Sequence, residues 1–166
     1  MGVGRMMRRP IIGVVGTGSV SPGADAAAEA VGREIARHDA ILVCGGLGGV
    51  MTAAARGARE AGGTTIGILP GADIHDANPY IDFPIATGMG QARNAIVVQT
   101  AQVIIAIAGG YGTLSEIAMA LKIGKKVIAL QPQFHIPGVL SAQDAVEAVR
   151  LALALIESPP SPCLSV

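Results

Sequence analysis

Residues 101–130 read AQVIIAIAGGYGTLSEIAMALKIGKKVIAL. The apolar run VIIAIA (103–108) is rich in β-branched residues and halts at Gly109 and Gly110. A helical spacing of apolar residues then runs from Thr113 to Ile123, and a second apolar run, KVIAL, starts at Lys126. Strand, glycine turn, helix, strand is the unit this order predicts. Neither run alternates with polar residues, so each strand is buried on both faces, as in a parallel sheet covered by helices.

The same alternation extends outward in both directions. IIGVVG (11–16), AILVC (40–44) and TTIGIL (64–69) read as strands, with IDFPIA (81–86) as a weaker one. Alanine-rich helical stretches lie at about 24–37, 50–61, 91–101 and 141–156. The fold class predicted is α/β: a single doubly wound, mainly parallel sheet with helices on both faces, Rossmann-like, over residues 10–156. Residues 1–9 are expected to form a disordered basic leader, with Met6 and Met7 as alternative starts. The tail 157–166, with three prolines and no periodicity, is also expected to be disordered.

Composition narrows the partners. Twelve Lys+Arg balance twelve Asp+Glu, so no charge excess points to nucleic acid or a membrane surface. Aromatic residues are scarce, with no Trp, which argues against stacking platforms for single strands. Charged residues reach 14%, against about 25% in typical domains, while hydrophobic types reach 51%. Such a chain needs an apolar interface, so a homo-oligomer, dimer or tetramer, is expected. No residue between Arg93 and Glu116 is charged, but polar residues and glycines interrupt that stretch, and it reads as a buried helix followed by a buried strand. Cys44 and Cys163 stand in no metal-type spacing and are read as free thiols of a cytoplasmic protein.

Three junctions from strand to helix carry glycine or hydroxyl residues. They are Thr17, Gly18 and Ser19; Gly45, Gly46, Gly48 and Gly49; and Gly109, Gly110, Gly112 and Thr113. In an open parallel sheet these junctions share the carboxyl edge, where unpaired amides and positive helix ends attract anions. Two dinucleotide features are missing: Ser21 stands where a third glycine belongs, and the second strand ends in Cys44 rather than an acid. A Walker-type loop is equally absent around Gly124 and Lys125, since no hydroxyl residue follows the lysine. One phosphate suits the site better than a chain of them. Thr113 and Glu116 have the spacing of a capping box, and the residues alone favour that structural role. Arg93, isolated in apolar sequence, reads as a charge clamp for a phosphate or a polarised sugar. His38, His75 and His135 have no partner at ligand spacing, so no metal is assigned.

The segments VCGGLGGVMTAAARGAREAGGTTIGILPG, NPYIDFPIATGMGQARN and AGGYGTLSEIAMALKIGKKVI resemble the Rossmann-like molybdenum-cofactor carrier proteins and their bacterial relatives. These lie within the Lonely-guy superfamily, long called lysine decarboxylase-like, and the resemblance spans roughly 10–130. It implies one of two functions. Carriers hold molybdenum cofactor, a pterin with a terminal phosphate. Lonely-guy enzymes hydrolyse the N-glycosidic bond of nucleoside 5′-monophosphates with a Pro-Gly-Gly-x-Gly-Thr-x-x-Glu signature and an upstream Arg-Lys pair. Here the glycines, Thr113, Glu116 and Arg93 match, while Ala108 replaces the proline and Asn94 the lysine. Those departures favour a carrier or binding protein for a small phosphorylated ligand, molybdenum cofactor or a nucleotide, with no required cofactor. In the alternative, phosphoribohydrolase reading, Arg93 and Glu116 become catalytic.

Overall fold

The computed structural model describes residues 8–132 and 135–158. Seven strands form one sheet: β1 (Ile11–Gly16), β2 (Ile41–Cys44), β3 (Thr64–Leu69), β4 (Phe83–Ala86), β5 (Val103–Ile107), β6 (Lys126–Leu130) and β7 (Val139–Ser141). Their order is β4-β3-β2-β1-β5-β6-β7, and every pairing among them is parallel. The five helices are α1 (Pro22–Arg37), α2 (Val50–Glu60), α3 (Asn94–Thr100), α4 (Tyr111–Lys122) and α5 (Ala145–Glu157). The doubly wound α/β class read from the sequence is the observed one.

Strand alternation divides the core in two. Val103, Ile105 and Ile107 of β5 face a layer made by α1, α2 and α5. Ile104 and Ala106 face the other layer, made by α3 and α4. Both layers therefore depend on one strand that is apolar at every position, each fully buried Ile contributing roughly 2 kcal/mol. The chain winds outward from β1 to β4, then returns to place β5 on the other side of β1. That reversal opens a crevice between the carboxyl ends of β1 and β5.

The α1–α2 crossing explains the alanine and glycine content of those helices. A Cβ on Gly32 would lie 1.9 Å from the Ala54 carbonyl oxygen, and one on Gly57 only 2.0 Å from that of Glu29. The backbones thus meet without side chains between them. On the rim of this crossing Glu29 accepts hydrogen bonds from Arg33 and Arg56, which hold its carboxyl below the usual range, Arg56 most of all.

Several boundaries differ from the sequence reading. Helix α4 starts at Tyr111, not Thr113. The stretch expected as one helix from 91 is a 3-10 turn, Gly90–Arg93, that continues into α3. Residues 139–141 form β7, a strand not expected, so α5 begins at Ala145 instead of Ser141. The expected leader and tail fall largely on residues 1–7 and 159–166, which with Cys163 and Phe134 lie outside the described residues. Arg9 is held by Asp39 at 2.9 Å and donates to the Thr64 hydroxyl at 3.0 Å.

Candidate anion-binding site

The predicted site residues fall on the connections after the carboxyl ends of strands or on the helix starts that follow them, 17–19 after β1, 45–49 after β2, 93–94 after β4 and 109–113 after β5, with Glu116 in the second turn of α4. The glycines among them divide by role. Gly49 (φ 60°) sits against the β1–α1 loop, where a Cβ would come within 2.4 Å of the Thr17 carbonyl oxygen. The Val50 amide donates to that same oxygen at 3.0 Å. The start of α2 is thus partly closed by the protein's own backbone. Gly46 packs against Leu69 and Gly67, while Asn78 steadies the loop by donating from its backbone to Gly46 and from its side chain to Leu47. Asn78 opens the segment NPYIDFPIATGMGQARN, and nothing in the sequence alone marks it as a brace.

The start of α4 is different. A Cβ on Gly110 or Gly112 would meet nothing within 4 Å. The first intrahelical hydrogen bond is Leu114 to Gly110, at 3.0 Å. The amides of Tyr111, Gly112 and Thr113 precede it and have no acceptor within the helix. Gly110 is the N-cap and no side chain caps the helix, so the Thr113–Glu116 capping box does not form. With Gly110 as N-cap, Thr113 and Glu116 each fall three residues too deep for the box. Thr113 is buried and turns onto Gly109, where a Cβ would lie 2.1 Å from its hydroxyl. Ala108, in the place of the signature proline, has φ 48° and donates its amide to Leu130 at 3.1 Å. Proline could do neither, so this substitution and the loop's backbone belong together.

Glu116, freed from capping, is buried with 7% exposure, as is Arg93. The Arg93 guanidinium donates to the Asn94 side chain and, at 3.4 Å, to the Gly45 carbonyl. Its Nε is buried without a partner. Among the described residues Arg93 makes no ion pair with a carboxylate, and Glu116 accepts no hydrogen bond, although each feels the other's charge. Burial pushes Arg93 down from its usual range, opposed by Glu116 and Cys44. Burial raises the Glu116 carboxyl to about 7, opposed by Arg93. Cys44, also in reach of both charges, is raised by burial to about 11 and stays a neutral thiol. Behind Thr113 lies an apolar hollow of about 20 Å³, bordered by Ala106, Ala108, Ile117 and Val139, with room for roughly one water.

Among the described residues no helix is long and apolar enough to cross a membrane. No three His, Cys, Asp or Glu side chains there stand together as a metal would require.

The sequence profile of the SLOG cluster4 family matches residues 9–157. The chain belongs to this family. A protein of Archaeoglobus fulgidus is 44% identical over 144 residues, covering 86% of this chain and 94% of its own. The solved molybdenum cofactor binding protein of the phototrophic bacterium Rippkaea orientalis is 39% identical with a TM-score of 0.86, covering 90% of this chain and 99% of its own. The molybdenum cofactor carrier protein of Chlamydomonas reinhardtii is 39% identical with a TM-score of 0.84, covering 91% and 100%. The resemblance to the carrier group read from the three motifs is therefore sound over the whole fold.

The raised Glu116 carboxyl has a consequence for stability. Its proton is held more tightly in the folded chain, so the stability it confers is complete below its ordinary value of 4.5 and is lost as pH rises through about 7. Glu116→Gln keeps the shape without titrating. Its advantage over the wild type in urea unfolding should grow across that window, by up to about 3 kcal/mol. Parallel stability profiles for the two proteins would contradict this environment for Glu116.

Proposed function

We propose that the chain binds and carries a small phosphorylated ligand, molybdenum cofactor or a nucleotide, at the carboxyl edge of the sheet. The open start of α4 carries this reading. Its free amides and helix dipole are a seat for one phosphate ester, while the unpartnered Nε of Arg93 and the carboxyl of Glu116 are a buried donor and acceptor for the rest of the molecule. Thr17, Gly18 and Ser19 on the β1 side of the crevice supply further polar groups. The similarity to a cofactor binding protein and a cofactor carrier supports the same reading. A buried free thiol at Cys44 suits a cytoplasmic setting.

One observation favours a second reading. A carboxyl near 7 beside a buried arginine is poised for general acid–base work at neutral pH. In that case Glu116 would stabilise positive charge building on a ribose and orient water, with Arg93 positioning a nucleoside 5′-monophosphate.

Titration with AMP tests the seat, and chromatography of the same mixture tests the second reading. Gly112→Asp sets a carboxylate at the α4 start, where it suits the helix dipole but repels phosphate. The variant should fold as well as the wild type and lose AMP affinity at least tenfold. Unchanged affinity would remove the seat. Release of adenine and ribose 5-phosphate by the wild type, abolished in Glu116→Gln, would turn the assignment to the hydrolase.

We also propose that copies of the chain associate through the sheet face over β4. Phe83 and Ile85 pair in register with Ile66 and Ile68 and share their face, yet are 59% and 46% exposed. Wild type should scatter light as an oligomer and Phe83→Glu with Ile85→Lys as a smaller species. A monomeric wild type would end this proposal.

A further inference from the structure

The two most exposed large apolar side chains among the described residues are Tyr111, at 86%, and Val20, at 83%. Their positions are related. Gly16 and Ile107 are register partners at the ends of β1 and β5, and Val20 and Tyr111 each lie four residues beyond them. Val20 leads into α1, which covers one face of the sheet, and Tyr111 opens α4, which covers the other. Val20 and Tyr111 therefore lie on the connections that leave these two adjacent strands, which run about 4.8 Å apart.

We propose that Tyr111 and Val20 grip the flat heterocycle of the phosphorylated ligand, Tyr111 stacking on one face of the ring and Val20 closing on the other. This rests on the phosphate seat proposed above and extends it to the ligand's other end. Three observations support the occupant. The hollow behind Thr113, at about 20 Å³, is far below the roughly 300–1,000 Å³ of ordinary ligand pockets, so a ring cannot pass inward there. Arg93, whose Nε is buried without a partner, and Glu116, which accepts no hydrogen bond, are each 7% exposed, and a plain apolar partner would leave them unsatisfied. An aromatic ring held in water beside a phosphate seat also has the amphipathic chemistry that stacking uses. Tyr111 would then select for ring-bearing esters over bare sugar phosphates. It is a specificity-determining residue, with no part in bond making.

The test compares AMP, a pterin phosphate monoester and ribose 5-phosphate, with ligand integrity checked by chromatography. In the wild type at least one ring-bearing ester should bind about fivefold or more tighter than ribose 5-phosphate, as base–aromatic stacking provides. Tyr111→Ala should erase that gap without changing ribose 5-phosphate affinity, and Tyr111→Phe should preserve it. Ring-bearing esters that bind no tighter than ribose 5-phosphate would overturn the grip and leave the phosphate seat standing. An equal loss for all three ligands in Tyr111→Ala would also overturn it. No binding of any of the three would bring down both the grip and the carrier reading. A changed oligomer mass in Tyr111→Ala would assign Tyr111 to contact with a second copy and overturn the proposal.

Discussion

Two opposite charges, Arg93 and Glu116, are buried close enough to influence each other without forming an ion pair. An interior that removes charges from water normally demands a direct partner for each. Here the sheet enforces the arrangement. Arg93 is fixed where the 3-10 turn passes into α3, and Glu116 in the second turn of α4, helices that pack on the same face. Burial without a direct partner raises the Glu116 carboxyl to about 7, against the pull of Arg93.

The fold was legible because β1, β2, β3, β5 and β6 are short apolar runs with glycines at their ends, a pattern that water would not tolerate outside a covered sheet. The edge element β7 was not. Val139–Ser141 has three residues, two of them exposed, so it carries no burial pattern to detect. The site was half legible. Its loops could be placed at one edge from their glycines, but which glycines face open space depends on three-dimensional packing. Gly46 and Gly49 serve neighbouring loops, whereas Gly110 and Gly112 face open space. The capping box failed for a local reason: Gly110, with no side chain, took the N-cap, so the helix began two residues early and turned Glu116 inward. Spacing alone could not distinguish a cap from a buried acid.

The departures from the hydrolase signature also gain meaning from the backbone. At Ala108 the chain is left-handed, a conformation closed to proline, so the loop before α4 follows a different path from one that contains the Pro-Gly-Gly sequence. Asn94 in place of lysine removes a cation and instead receives a guanidinium hydrogen bond from Arg93. Both changes shape the pocket without adding a reactive group. Binding needs only such a shape, while hydrolysis also needs water and a carboxylate held in register with the reacting carbon.

The most direct measurement is a crystal structure of the protein with a phosphate monoester bound. The account predicts phosphate oxygens within hydrogen-bond reach of the Gly112 and Thr113 amides, with the remainder of the ligand lying over Arg93 and Glu116. Phosphate at the α1 or α2 start, or a ligand outside the crevice with Arg93 and Glu116 still unpaired, would contradict it.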